Sequence, residues 1–356
     1  VLMMTCTLDL YTDYLVSSTG PTTATGLSRL LDGALSHDHI TRWLSSTSLG
    51  SPALWRQAKL LIRAAETQRK PVEFAVLIVD DSILEKAHTD VNELICTHYD
   101  HSQQRFVKGL NFVTLLYQAG ELALPIAAEL VAKTVPVYNA KTQQTSYQSA
   151  FTKNEYVQQM LRVAQQQVAY RYLLADSWYA SAENMTLVRA LGHDFVFALE
   201  SSRTVALSAE ARATGQFQAI QPLTFPDEQP LRVYLRPVKE AVLVARQVFT
   251  NKDGSQGTLY LVSSDTDLTQ AQLTTIYQRR WKVEEYHKSL KQNASMGKSP
   301  TKTPATQTTH FFAALLAYSK LEILKLKHEM GHFRLKAQLY TVGLKAMYQQ
   351  LGQLRA

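Results

Sequence analysis

Two carboxylates close an apolar run: Phe74–Val79 reads Phe-Ala-Val-Leu-Ile-Val, and Asp80 and Asp81 follow it. A second run, Tyr170–Ala175, ends in Asp176, and a third acid, Glu284, stands far downstream among basic and aromatic residues. One acid after a strand is more often a turn former or helix cap. Three acids gathered at one site repel, and a cation relieves that repulsion; hard carboxylate oxygens suit Mg²⁺, with Mn²⁺ as a substitute. Two such ions about 3.5–4 Å apart activate a water or a 3′-hydroxyl and stabilise the leaving oxygen of a phosphodiester. Neighbouring strand residues point to opposite faces, so Asp80 and Asp81 cannot both be central ligands. Asp81, which precedes Ser82 at the end of the run, is the expected ligand, with Asp80 a solvated or outlying neighbour.

The third acid is placed by helical spacing. Within Leu268–Gln292, Ile276, Val283 and Leu290 recur every seven residues as a core-facing stripe. Tyr277, Glu284 and Lys291 share that period one step around, and Arg280 joins Tyr277 and Glu284 by i+3 and i+4 spacing. An acid on this border can hold a metal, while Tyr277, Arg280 and Lys291 meet phosphates or stack on a base. The competing reading is a surface helix with ordinary ion pairs such as Glu284 with Lys288. The basic run Arg279, Arg280, Lys282, Lys288 and Lys291 is in general a solvated face; beside three acids it becomes a phosphate track.

The elements that must carry these residues alternate in type. Residues 1–70 read as helices, with Leu27, Leu30, Leu31 and Leu35 at helical spacing and Ser36 capping His37–Leu44. That pair is a candidate helix-turn-helix, with Arg42 its DNA-contacting candidate; a small helical bundle is the plainer alternative. After the first acid strand come strand candidates at Phe106–Val107 and Phe112–Tyr117, split by Lys108-Gly109. A helix over Lys153–Val168, the strand before Asp176 and a further strand at Phe195–Leu199 follow. Residues 200–265 are β-rich, with a hairpin turn at Asn251-Lys252-Asp253-Gly254, and read as an insertion in an α/β domain. Helices resume at Leu268–Gln292 and Thr308–Met330.

Tyr277-x2-Arg280-x3-Glu284-x6-Lys291 resembles the Y-R-E-K signature of transposases from family 4 of the bacterial insertion sequences. Ile78-Val-Asp-Asp-Ser82 resembles the segment of the first catalytic Asp, and Leu174-Ala-Asp-Ser-Trp-Tyr179 that of the second. The likeness covers roughly residues 70–325, with a weaker one at Ser36–Leu44. It implies an RNase H-like catalytic domain (71–330), a helical DNA-binding domain before it and a C-terminal helical tail (331–356). It also implies cut-and-paste transposition: Asp81, Asp176 and Glu284 hold two Mg²⁺ ions, and Tyr277, Arg280, Lys288 and Lys291 grip the cleaved end of double-stranded DNA. Such enzymes commonly pass through a DNA hairpin and synapse two ends as a homodimer. A Trp of the β insertion can hold a flipped base in that family. Here the tryptophans are Trp43, Trp55, Trp178 and Trp281, none within 200–265, which leaves Tyr234, Phe249 or Tyr260 for stacking.

The bulk properties are compatible with these readings. In 356 residues, 37 Lys and Arg against 30 Asp and Glu leave a net charge of +7, which favours a polyanionic partner without identifying one. Cys6 and Cys96 stand far apart, so neither a disulfide framework nor a thiolate metal site is expected. No apolar run approaches the ~20 residues of a membrane helix, and the first residues lack a signal-peptide order, so a cytoplasmic protein is expected; the resemblance implies a bacterial one, nucleoid-associated when bound to DNA. Gly297-Lys298-Ser299 lacks the earlier glycine of a phosphate loop, and His98 with His101 has no matching ligand pair. His287 reads as a solvated histidine. Two alternatives use the same residues: a structure-selective nuclease without strand transfer, and a domesticated DNA-binding protein that no longer cuts.

Overall fold

The computed structural model describes residues 5–68, 73–100, 103–236, 238–251 and 253–355; His101 and Lys252 lie outside them. Four helices come first, α1 (Leu8–Ser17), α2 (Ala24–Leu30), α3 (His37–Ser46) and α4 (Ser51–Gln68). The Ser36 hydroxyl accepts from the His39 amide at 3.3 Å, as the sequence leads one to expect of a cap. The strands β1 (Val76–Glu85), β2 (Ile95–Asp100), β3 (Arg105–Ala119) and β4 (Leu122–Leu130) follow. A hairpin of β5 (Lys133–Asn139) and β6 (Gln144–Ser149) leads into α5 (Lys153–Ala164), β7 (Tyr172–Ala175), α6 (Ala182–Ala190) and β8 (Asp194–Leu199). The β-rich segment supplies β9 (Thr204–Ala206), α7 (Ala209–Ala213), β10 (Gln218–Ala219), β11 (Leu231–Leu235), β12 (Val242–Thr250) and β13 (Gln256–Ser263). The chain ends in α8 (Gln270–Gln278), α9 (Lys282–Gln292), α10 (Pro304–His328) and α11 (His332–Arg355).

Among the described residues one 11-stranded sheet dominates, in the order β10-β9-β11-β12-β13-β8-β7-β1-β3-β2, with β4 also on β3. Its centre has β4, β3 and β1 antiparallel, then β1, β7 and β8 parallel. The β-rich segment does not stand apart from it: β13 pairs antiparallel with β8 and extends the same sheet. Strand alternation then sorts the core into two faces. Val76, Ile78, Tyr172 and Leu174 pack with Val283, Tyr286, Leu290 and α10, whereas Leu77, Val79, Leu173 and Ala175 pack with Ile62, Val157, Met160 and Val188. The heptad stripe therefore faces the sheet, with Ile276 6% exposed and Val283 and Leu290 fully buried.

Three elements differ from their sequence reading. The two strand candidates around Lys108-Gly109 are one strand, because Gly109 answers a close approach: a Cβ there would lie 2.4 Å from the Leu84 carbonyl oxygen. The first acid strand does not stop at Val79; β1 runs on to Glu85, held by antiparallel pairing with β3 as far as Glu85 opposite Gly109. The Leu268–Gln292 helix is broken by a 3-10 turn over Arg279–Trp281.

Helix α11 is fastened to the body at its first residue. Glu322 is 2% exposed and meets Lys325 at 2.7 Å and His332 Nε2 at 3.0 Å, while Ser289 Oγ of α9 lies 2.8 Å from His332 Nδ1. Burial alone would raise the Glu322 carboxyl, but His332 and Lys325 hold it below its ordinary range. Its ionised form therefore contributes stability above the usual carboxylate range, lost as pH falls through the lowered value. Glu322→Gln leaves Lys325 without its counter-charge and takes the ionised partner from His332, and is expected to cost about 3–5 kcal/mol in urea unfolding at pH 7, with a smaller deficit in acid. A wild-type midpoint at pH 7 would show that the network contributes nothing.

Candidate functional site

The acids meet where parallel pairing ends. Ile78 of β1 lies opposite Leu174 of β7. The same register carried two residues further brings Asp80 beside Asp176, on the sheet face that α9 covers. Beyond Ala175 the chain turns into a 3-10 helix, and Asp176 Oδ1 accepts from the Trp178 amide at 3.0 Å. The strand ends because Asp176 caps this turn, and that opens a cleft of about 490 Å³ lined by Asp80, Asp81, Lys153, Asp176, Glu200 and Lys291, among others.

Asp80 and Asp81 point to different partners. Asp81 faces α5, where Lys153 Nζ is 2.5 Å from Oδ2 and the Tyr179 hydroxyl donates to Oδ1 at 2.7 Å. Asp80, expected from the sequence to be a solvated or outlying neighbour, is not solvated: only 14% of its side chain is exposed, and its Oδ2 lies 3.9 Å from Arg280 and 3.8 Å from His287 Nδ1. Burial first, and Asp176 second, push the Asp80 carboxyl up to about 8, against the pull of Arg280. Burial likewise raises Asp176, which Arg280 and the amides of Trp178 and Tyr179 oppose. The correction has a simple cause: β1 continues past the pair, so alternation along an unbroken strand decides which acid faces Asp176.

Arg280 works as an internal cation. Its guanidinium is 3.6 Å from Glu284 and 3.9 Å from Asp80, lies 5.9 Å from the Tyr277 ring centroid, and opposes the rise that burial gives Asp176. Glu284 itself remains 45% exposed at the border of the core. Lys291 donates to Ser82 Oγ at 3.0 Å on the cleft side. The other basic residues are engaged elsewhere. Lys282 pairs with Glu285 at 2.9 Å, Lys288 lies 5.2 Å above the Phe333 ring of α11, and Arg279 donates to Gln118 and to the Phe74 carbonyl. Lys288 thus stands outside the cleft, and Arg42 is an exposed residue of α3. His287 is buried against Phe112, ring centroids 5.8 Å apart, not solvated, and burial drops it to about 3.

Sequence reasoning did not single out Lys153, Tyr179 or Glu200 as cleft residues. A signal existed for the first two. Lys153 follows the Thr152–Glu155 capping box, which fixes the helix start, and Tyr179 ends the Asp-Ser-Trp-Tyr stretch.

A family model described as transposase DDE domain matches residues 137–320, and one described as DDE superfamily endonuclease matches residues 3–221. The chain belongs to the DDE transposase superfamily. Its mixed sheet, with three antiparallel strands followed by two parallel ones, is the RNase H-like fold of that superfamily. No curated protein matches the chain. The solved structure of Ciona intestinalis endonuclease V, in complex with a 24mer DNA containing an inosine followed by a ribo-adenosine, aligns with 70% of this chain and 98% of its own. Identity there is 12% and the TM-score 0.30, too distant a likeness to bear on this DDE chain.

DDE endonucleases depend in general on a divalent metal, and the donor set here suits one: hard carboxylates in a half-buried cleft. Among the described residues no three His, Cys, Asp or Glu side chains stand close enough to hold an ion as they are. Arg280 sits between Asp80 and Glu284 instead, so closing a metal shell requires the guanidinium to withdraw.

The raised Asp80 gives a pH prediction. In metal-free protein the unfolded chain ionises Asp80 near pH 4 while the folded chain keeps its proton to about 8, so stability falls as pH rises between them. Asp80→Asn removes that burden and should raise the thermal midpoint in EDTA at pH 8, by stability on the order of a few kcal/mol, with little change at pH 4. An equal shift at both pH values would contradict the assignment.

Proposed function

We propose that this DDE-superfamily chain is a DNA transposase of the family 4 insertion-sequence type, cutting at element ends and joining the freed 3′-hydroxyl to target DNA. The observation that supports this reading is one cleft that gathers Asp80, Asp81 and Asp176, with Arg280 reaching both Asp80 and Glu284. Asp176, Glu284 and the Asp80–Asp81 pair are the carboxylates for two Mg²⁺ ions, for which Mn²⁺ can substitute. Asp81, the ligand expected from the sequence, lines the cleft from the α5 side. Asp80, beside Asp176 and Arg280, would be a further carboxylate to hold the ions. When bound, the ions supply an activated oxygen nucleophile and neutralise the leaving oxygen.

The chain's own groups prepare this chemistry. Lys153 and Tyr179 fix the Asp81 carboxylate. Ser82 holds Lys291 at the cleft wall, and Tyr277 supports the Arg280 guanidinium; both cations are placed to take phosphate oxygens of the cleaved end. Tyr277-Arg280-Glu284-Lys291 would thereby act as the Y-R-E-K signature. In this reading residues 1–70 bind DNA with Arg42, 71–330 form the catalytic domain and 331–356 a tail. Two copies synapse the ends, and a hairpin intermediate stacks its flipped base on Tyr234, Phe249 or Tyr260.

The test is cleavage and joining of duplex DNA carrying the element's ends, in Mg²⁺ and in EDTA. Asp176→Asn, Glu284→Gln and Asp80→Asn should each lower nicking on the order of 10³-fold or more while DNA binding persists. Asp81→Asn should lose less, since its carboxylate is already engaged by Lys153. Mg²⁺-dependent cutting without joining would make the chain a nuclease, and binding without cutting a DNA-binding relic. Full activity in Asp176→Asn would remove the site altogether.

A further inference from the structure

The hairpin of β5 and β6 stands outside the main sheet, as a separate two-stranded sheet. Two strands alone are marginal in water, and an unpaired ribbon with both faces wet has no core to justify it. Its residues 134–148 are exposed throughout, with Tyr138 64% and Tyr147 59% exposed. The register pairs Pro136 with Tyr147 and Tyr138 with Thr145, which puts both tyrosines on one face; Asn139, Gln144, Ser146 and Gln148 share the other with Val135 and Val137. The tip is ordered by its own chemistry, since the Asn139 side chain accepts from the Lys141 and Thr142 amides at 3.0 and 3.3 Å.

Composition and position identify a partner. No acid occurs between Glu129 and Glu155, while Lys133, Lys141 and Lys153 do, so a polyanion is favoured and an acid-bearing protein face is not required. The exposed side chains are mostly amides, hydroxyls and phenols, the groups that read base edges and phosphates, with no large aliphatic patch for a protein core. The ribbon is rooted beside the acid cleft. Lys133 Nζ donates to the Thr97 carbonyl of β2 at 2.8 Å and Ser149 Oγ lies 3.2 Å from the Tyr156 hydroxyl. A few residues past β6, Lys153 reaches Asp81. At about 3.4 Å per residue the strands extend roughly 20 Å, and a major groove about 12 Å wide admits a two-stranded ribbon.

We propose that β5–β6 is a DNA-reading arm that enters the major groove of the duplex flanking the cleaved bond. It rests on the DNA-cleaving reading above and adds a surface to it: the cleft does the chemistry, and the arm sets which duplex lies across it. Lys141 at the tip contacts phosphate, and Asn139, Gln144 and Gln148 face base edges.

The experiment compares wild-type protein with Tyr138→Ala/Lys141→Ala/Gln144→Ala/Gln148→Ala, all exposed positions whose loss leaves the core intact. Binding to duplex carrying the element's ends is measured in EDTA by fluorescence anisotropy across a salt series. Guanine N7 protection from methylation is read on the same duplex. The variant should bind at least tenfold more weakly, with a salt slope shallower by about one phosphate contact, and lose a patch of N7 protection. Wild-type affinity and protection in the variant, with normal end cleavage, would overturn the arm alone. Unchanged DNA binding with altered sedimentation would do so too, and would make the ribbon a protein interface. If wild-type protein neither binds nor cuts DNA, the functional reading fails and the arm with it.

Discussion

Negative charge held where a β-sheet loses its pairing is the constraint on which the rest depends. Asp80, on β1, and Asp176, just past the end of β7, line one cleft, and burial raises both. In bulk water such repulsion is slight, but in a half-buried cleft it rises several-fold. The chain answers with fixed cations: Arg280 toward Asp80, Asp176 and Glu284, and Lys153 toward Asp81. Each is positioned by a helix whose start or face is determined locally, α5 by the Thr152 capping box and α9 by Val283 and Leu290 against the sheet. The surrounding fold can be read as what keeps four acids and two cations at this distance.

On the proposed reading, the same arrangement describes a metal site that is not preformed. A guanidinium between two carboxylates stabilises the protein without an ion, yet it occupies the room an ion needs. Phosphate oxygens are the natural destination for Arg280 when the carboxylates turn to a metal, because a planar fork matches them as well as it matches a carboxylate. Loading the metal and engaging DNA are then coupled by one side chain, which disfavours an ion shell in the absence of substrate.

Much of this was legible in the sequence, for identifiable reasons. Buried strands announce themselves as apolar runs, and Phe74–Val79 and Tyr170–Ala175 did so; the heptad of Ile276, Val283 and Leu290 oriented the third acid correctly. What failed were judgements about where an element stops. Nothing local says that β1 continues to Glu85, because its continuation is set by pairing with β3 across a close glycine contact. That continuation leaves Asp80 buried near Arg280 and His287 rather than solvated. The contact of Lys288 with Phe333 had no local signal, because Phe333 belongs to a helix more than forty residues away in sequence. The β5–β6 ribbon gave no signal because Thr, Gln, Ser and Tyr alternate there without a hydrophobic face.

The central claim is that these acids form one divalent-metal site, and ion binding reads it without any turnover. Free Mn²⁺ is followed by electron paramagnetic resonance while wild-type protein, Asp176→Asn and Arg280→Gln are titrated in, with and without duplex DNA. The account predicts that wild-type protein takes up Mn²⁺ more tightly with DNA than without it, that Asp176→Asn loses this uptake, and that Arg280→Gln binds the ion more readily in the absence of DNA. Equal Mn²⁺ uptake by wild-type protein and Asp176→Asn, with DNA present, would contradict it.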